Sequence, residues 1–139
     1  MIQETYLEQK ERQKKEFDGF EGIFFAFSNK QFEEGMQKVG LFPTDTTKIY
    51  SIGAGGYIRK DKAADFHALM ERHSAERKNR LKDEKALIES LVYELGNHEY
   101  CITLDPTEAL DSLGLTVKVI DTQILKKAIN EYWMHANRG

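Results

Sequence analysis

Apolar and β-prone residues form several short stretches along the chain, and these predict β-strands. Residues 22–27 are almost entirely apolar, which predicts a buried, central strand. The glycine-rich residues 53–56 interrupt the alternating pattern of residues 48–60, which predicts a hairpin. Residues 100–104 alternate in the same way and predict a further strand, and residues 116–120 predict a strand or an extended connector.

Capping residues predict where three helices begin. Ser28 and Gln31 have the spacing of a capping box, which places a helix directly after the first strand. Asp105, followed by Pro106, predicts the start of a second helix, because Asp is a favoured N-cap and Pro is favoured at the first helical position. Asp121 predicts the start of the last helix.

Residues 61–95 contain neither Gly nor Pro, and their apolar residues recur at helical spacing. Residues 71–80, in the middle of this region, are almost entirely polar. Two interpretations fit: one long helix with an exposed middle, or two helices that meet at a turn near Ser74 or Asn79. The average helix length of about 12 residues favours two helices.

These elements predict an α+β fold, with a small, mostly antiparallel sheet packed against several helices in a single domain. Residues 1–18 are rich in Glu, Gln and Lys, and we expect a polar N-terminal helix or tail that is frayed or partly detached. Residues 19–139 are then the α+β domain. The small core and the apolar residues of the 81–95 region make a homo-oligomer possible.

The net charge of −3 is unevenly distributed along the chain. Seven acidic residues and one basic residue lie between Glu89 and Asp121, which predicts an acidic surface. The basic residues around Arg72–Arg80 have no aromatic neighbours, so direct binding to nucleic acid is not expected. No apolar stretch approaches the roughly 20 residues that span a bilayer, so we expect a cytoplasmic protein without a membrane partner.

Three stretches of the sequence support a resemblance to a known group of proteins. They are residues 23–35 (IFFAFSNKQFEEG), residues 48–56 (KIYSIGAGG) and residues 97–101 (NHEYC). Over residues 17–115, the chain resembles a family of small uncharacterised proteins carried by phages and conjugative elements of Gram-positive gut bacteria. The resemblance implies a bacterial host and a genomic setting in which small proteins often inhibit host defences. The resemblance implies no activity for this chain and identifies none of its residues as a site residue.

Glu94, His98 and Cys101 are the residues from which a metal site could be built. Glu94 and His98 are four residues apart, so they share a helix face, and Cys101 lies just beyond. Zinc accepts all three ligand types, although the paired spacings of structural zinc sites are missing. The prediction is therefore no cofactor, with zinc as the alternative.

Cys101 is also the only thiol that could act as a nucleophile. A thiolate is opposed by the negative end of the preceding helix and by the acidic residues Glu94, Glu99 and Asp105. We therefore expect a protein that is not an enzyme, and a weak hydrolase is only the third hypothesis.

Gly53, Gly55 and Gly56 could hold a phosphate through their backbone amides, with Arg59 neutralising its charge. The loop lacks the Lys-Ser/Thr ending of a phosphate-binding loop and is followed by a strand pattern. A hairpin turn explains these glycines more simply, so a nucleotide site remains the alternative.

The sequence favours a non-enzymatic binding protein of a mobile genetic element. The expected partner is a host protein, for example a nucleic-acid enzyme such as an RNA-guided nuclease, which the chain would inhibit or occupy as a decoy. The alternative is a small-ligand or metal-binding module. The predicted contact residues are five acids and one aromatic residue: Glu94, Glu99, Asp105, Glu108, Asp111 and Tyr100.

Overall fold

The computed structural model describes residues 2–138, with side chains described up to residue 136. This part of the chain forms seven α-helices and three β-strands, which confirms the α+β class. In chain order they are α1 (Tyr6–Asp18), β1 (Ile23–Phe25), α2 (Asn29–Lys38), β2 (Ile49–Gly53), β3 (Gly56–Arg59), α3 (Ala63–Leu81), α4 (Glu84–Asn97), α5 (Tyr100–Thr103), α6 (Thr107–Ser112) and α7 (Thr122–Arg138).

The chain divides into two compact units, which are described separately. The first unit holds the residues up to Arg12 and those from Ser74 onward, and the second runs from Gln13 to His73. None of the helices between residues 6 and 138 combines the length and the apolar composition needed to cross a membrane.

The second unit contains an antiparallel sheet in the order β1-β3-β2. The hairpin predicted from residues 48–60 is confirmed, because β2 and β3 pair directly. The prediction that residues 22–27 form a central strand is wrong in position. β1 lies at an edge of the sheet and β3 at its centre, so that Phe24 is buried while Phe25 is about half exposed.

Helix α2 packs against β1 and begins as predicted. Ser28 Oγ accepts a hydrogen bond from the Gln31 backbone nitrogen at 3.2 Å. In a standard capping box, the Gln31 side chain would accept a hydrogen bond from the Ser28 backbone nitrogen. Here Gln31 Oε1 accepts one from the backbone nitrogen of the preceding residue, Phe27, at 2.7 Å. Gly35 allows a close approach to β1, because a Cβ at this position would lie 2.1 Å from the ring of Phe24.

The first unit has its core between α4, α6 and α7. Its fully buried side chains include Leu91, Leu95, Leu110 and Ala128. The cap predicted for the last helix is confirmed, because Asp121 Oδ1 accepts from the Gln123 backbone nitrogen at 2.7 Å.

Residues 61–95 form two helices, as the average helix length favours, but the break lies beyond both predicted turns. Helix α3 continues to Leu81, and Asp83 then caps α4 by accepting a hydrogen bond from the Ala86 backbone nitrogen at 2.9 Å. The polar residues 71–80 are not uniformly exposed, because His73 and Arg80 are both buried.

Helix α1 is part of the fold, and the expectation of a frayed or detached segment is wrong. Tyr6 and Gln9 are buried in the first unit. The Tyr6 backbone nitrogen donates to Glu89 Oε1 at 2.8 Å, which satisfies an amide at the start of the helix.

The strands predicted at residues 100–104 and 116–120 are absent from the described structure. Residues 100–103 form the single helical turn α5, because Glu99 and Leu104 on either side adopt left-handed backbone angles, with φ of 54° and 56°. Residues 116–120 form a turn in which the Thr116 carbonyl accepts from the backbone nitrogens of Val119 and Ile120.

Candidate binding surface

The structure divides the predicted acidic contact residues into one buried and several exposed carboxylates. Glu94 on α4 is only 1% exposed. The other acids lie on the outside of the first unit: Glu99, Asp105, Glu108 and Asp111. A buried side chain cannot contact a partner, so the prediction that Glu94 belongs to the contact surface is wrong.

Glu94 instead joins three helices of the first unit. Its Oε1 accepts hydrogen bonds from Tyr6 Oη at 2.7 Å and from Lys10 Nζ at 3.0 Å, both on α1. Its Oε2 accepts from Ser112 Oγ on α6 at 3.1 Å. Hydrogen bonds to a charged carboxylate are among the strong ones, so this side chain fixes the positions of α1 and α6 relative to α4.

Two further side chains lie near the Glu94 carboxylate. Asn97 Nδ2 lies 3.4 Å and His98 Nε2 lies 3.3 Å from Oε2. Burial raises the pKa of Glu94, but the hydrogen bonds from Tyr6 and Lys10 outweigh it and hold this pKa below its ordinary value. Glu94 is therefore ionised in the folded protein at neutral pH.

The same arrangement shifts the pKa of Tyr6 in the opposite direction from that of Glu94. Burial and the hydrogen bond to the Glu94 carboxylate raise the pKa of the Tyr6 hydroxyl well above its ordinary value. Lys10 Nζ also lies 5.2 Å from the ring centroids of Tyr6 and Tyr93. This hydroxyl therefore remains a proton donor to Glu94 across the physiological pH range.

Exposed residues of the 99–111 segment form what we call the acidic surface: Glu99, Ile102, Leu104, Asp105, Glu108 and Asp111. Two of them are apolar, since Ile102 and Leu104 are 74% and 62% exposed. Exposed apolar side chains among charged ones are a feature of protein contact sites.

Asp105 has a structural role as well as an exposed position. Its Oδ1 accepts from the Thr107 backbone nitrogen at 2.9 Å and from Thr107 Oγ1 at 2.6 Å. These bonds lower the pKa of the Asp105 carboxyl and hold the turn before α6. The helix begins one residue later than predicted, because Pro106 and not Asp105 is its N-cap.

Tyr100 is buried, so the prediction of an exposed aromatic anchor is wrong. Its ring packs 5.5 Å from the ring of Tyr132 and 6.1 Å from that of Trp133, measured between centroids. Tyr132 Oη in turn accepts a hydrogen bond from the Cys101 backbone nitrogen at 3.0 Å. Tyr100 therefore anchors α5 to α7.

The structure brings together only two of the three residues that a metal site would require. His98 Nε2 lies near Glu94, while its Nδ1 lies 3.5 Å from Glu108 Oε2. Cys101 is exposed, and its sulfur is not grouped with two other ligand atoms within 4.8 Å in the described part of the chain. His98 thus links a buried and a surface carboxylate.

Side chains of the second unit fill the space next to its glycine loop. A Cβ at Gly55 would lie 2.5 Å from the ring of Phe27, and one at Gly56 would lie 2.8 Å from Ile52. Arg59 donates to Val39 O at 2.6 Å and pairs with Asp61. These contacts give Gly55, Gly56 and Arg59 packing roles, whereas Gly53, with φ of 86°, belongs to the turn.

Sequence reasoning missed an open cleft of about 920 Å³ in the first unit. Its lining includes Ile2, Arg80, Lys85, Ile88, Lys127 and His135. These residues come from three segments that are distant in sequence, so no local pattern could have indicated the cleft. Arg80 is fully engaged there, donating to Gln9 Oε1, Glu89 Oε1 and the Glu4 carbonyl.

The protein has an α+β fold, and its first unit exposes the acidic surface. The chain belongs to DUF7659, a family of unknown function, which matches it over residues 5–135. No curated protein and no solved structure is significantly similar to the chain. The family match includes residues of both compact units, so neither unit alone defines the family.

Proposed function

We propose that this protein is a non-enzymatic binding protein that uses the acidic surface to occupy a basic groove on a protein partner. The observation that carries the proposal is the exposure of Ile102 and Leu104 among the acidic residues of this surface. Apolar side chains supply affinity when they lose their water, and the acidic residues steer the approach of a basic partner.

The buried network beneath the surface supports the same proposal. Left-handed backbone angles at Glu99 and Leu104 fix both ends of α5, and Tyr100 anchors the turn between them. A contact surface that is ordered before binding loses less conformational entropy when the complex forms.

The partner class that we propose is a nucleic-acid enzyme of a bacterial host, such as an RNA-guided nuclease. Grooves that bind nucleic acid are basic, and a row of carboxylates can occupy them as phosphates do. The resemblance of the sequence to proteins of phages and conjugative elements adds a reason for such a partner. The protein would then be an inhibitor or a decoy.

The test measures association with a purified RNA-guided nuclease of a Gram-positive gut bacterium by biolayer interferometry, together with target cleavage. The variant combines Glu99→Lys with Asp111→Lys, because neither side chain makes a capping hydrogen bond. The matched control combines Glu11→Lys with Glu131→Lys, which changes the net charge equally at exposed acids elsewhere in the first unit.

We expect the Glu99→Lys/Asp111→Lys variant to associate at least about tenfold more slowly at low salt, and this difference should shrink as salt screens the charges. The control should associate like the wild type. Ile102→Ala should instead increase the dissociation rate by about tenfold, because it removes apolar contact. Equal effects of both charge reversals would contradict the proposed surface, and an absence of binding would contradict the partner class.

A further inference from the structure

The second unit exposes aromatic rings on part of one face of its sheet, the face on which Ile23 and Ile58 are buried. The register pairs Phe25 with Gly56 and Tyr50 with Ile58, and paired residues of an antiparallel sheet project to the same face. Phe25 and Tyr50 are about half exposed, and Phe27, which follows β1, is 77% exposed. We call Phe25, Phe27 and Tyr50 the aromatic patch.

Two glycines let these rings lie directly on the backbone. A Cβ at Gly55 would be within 3.0 Å of three ring atoms of Phe27. A Cβ at Gly56 would lie 2.9 Å from the Phe25 ring. The rings are therefore supported on their inner side, while most of the Phe27 surface remains open to solvent.

Positive charge accompanies the aromatic patch. Lys60 Nζ lies 4.9 Å from the centroid of the Tyr50 ring. Lys30 is exposed in the first turn of α2, three residues after Phe27, and forms no salt bridge in the described part of the chain. The carboxylate beside Lys60 is already occupied, because Asp61 receives two hydrogen bonds from Arg59.

We propose that the aromatic patch binds single-stranded nucleic acid, with bases stacked on Phe25 and Phe27 and phosphates near Lys30 and Lys60. Exposed rings on a sheet stack bases of any sequence, and nearby cations neutralise the backbone. This inference goes beyond the proposed function and concerns a different surface. The aromatic patch lies on the sheet and does not include residues 72–80, the basic segment without aromatic neighbours.

The test measures fluorescence anisotropy of a labelled ten-nucleotide oligothymidine with the full chain at low salt. Phe27→Ala should weaken binding at least about fivefold, the usual effect of removing one stacking ring. Both local backbone hydrogen bonds, from Ala26 N to Gly55 O and from Phe27 N to Gln31 Oε1, remain possible in this variant. An unchanged circular dichroism spectrum would show that the variant folds.

Phe42→Ala is the matched control, because Phe42 is 74% exposed and lies outside the aromatic patch. It should bind like the wild type. Lys60→Gln should reduce the dependence of binding on salt concentration, since it removes a cation near the phosphates. No measurable binding of the wild type, or equal loss in Phe27→Ala and Phe42→Ala, would overturn the proposal.

Light scattering tests the competing occupant, a second copy of this chain. If the wild type self-associates and Phe27→Ala does not, while neither binds the oligonucleotide, the aromatic patch is a self-association surface and the nucleic-acid proposal is wrong. A monomer that binds the oligonucleotide through Phe27 supports the proposal.

Discussion

The two compact units are stabilised in different ways. The first unit buries charged side chains, with Glu94 at 1% and Arg80 at 2% exposure, and surrounds each with hydrogen-bond partners. The second unit buries one ionisable side chain, His73, whose Nε2 lies 2.8 Å from Glu16 Oε1. Its core, however, packs Phe24 against the rings of Phe32 and Tyr57, with centroid distances of 5.7 and 5.4 Å.

This difference predicts how each unit responds to change. A buried carboxylate needs its charge and its donors, so the stability of the first unit should depend on pH and on hydrogen-bond geometry. An aromatic core depends on volume and shape, which do not change with pH. Every buried side-chain nitrogen and oxygen in the described structure has a hydrogen-bond partner, so the polar interior of the first unit is fully satisfied.

The largest effect is expected from Phe24→Ala in the second unit. Removing this buried ring leaves a cavity beside Phe32 and Tyr57, and such substitutions cost about 3–5 kcal/mol. Urea denaturation followed by circular dichroism measures the loss, with the exposed Phe42→Ala as the control. A loss below about 1 kcal/mol would show that the aromatic rings do not form the core of this unit.

Glu94→Ala should produce the next largest loss, about 3 kcal/mol, in the first unit. The substitution leaves the buried Tyr6 hydroxyl without its acceptor and breaks the links from α4 to α1 and α6. The control is Glu108→Ala, in the same acidic part of the sequence but largely exposed. Similar losses in both variants, measured by denaturation, would contradict the structural role of Glu94.

Gly35→Ala should have an intermediate effect in the second unit, about 2 kcal/mol. The added Cβ would lie 2.1 Å from the Phe24 ring, so α2 or β1 has to move. Gly96→Ala is a matched helical control, because a Cβ at that position meets no atom within 4 Å. If Gly35→Ala stabilises the protein, as Ala usually does in a helix, the close packing of α2 on β1 is wrong.

Cys101→Ala should have the smallest effect, within about 0.5 kcal/mol. The thiol is exposed, and the hydrogen bond to Tyr132 comes from the backbone nitrogen, which the variant keeps. Binding to the proposed nuclease partner should also be unchanged. Loss of binding by a folded Cys101→Ala protein would favour a chemical role for the thiol.

The sequence predicted best the features that depend on local chemistry. Ser28 and Asp121 cap their helices as expected, because capping requires only a side-chain acceptor and the amides that follow it. The hairpin of residues 48–60 was predictable for the same reason, since its turn needs residues such as Gly53 and Gly55 that tolerate positive φ.

Features that depend on distant contacts were not predictable. The alternation of residues 100–104 indicates a strand, but no strand pairs with them, and Tyr100 is held by rings more than 30 residues away on α7. Left-handed backbone at Glu99 and Leu104 is uncommon for residues other than Gly, so no residue preference predicts it.

The candidate site shows the same limit. Sequence spacing could place Glu94 among acidic neighbours, and the acidic surface around Glu99 and Asp111 follows from that composition. The burial of Glu94 could not be predicted, because two of its hydrogen-bond donors, Tyr6 and Lys10, lie more than 80 residues earlier in the chain.

The most direct test of the ionised, buried carboxylate is the pH dependence of unfolding for the wild type and Glu94→Gln. The folded pKa of Glu94 lies below its ordinary value of 4.5, so its ionised form stabilises the fold above that pH. This stability should disappear as the pH falls through the lowered folded pKa. We therefore expect the difference in unfolding free energy between the two proteins to be constant near neutral pH and to shrink below pH 4.5. A difference that stays constant throughout the acid range would contradict the account.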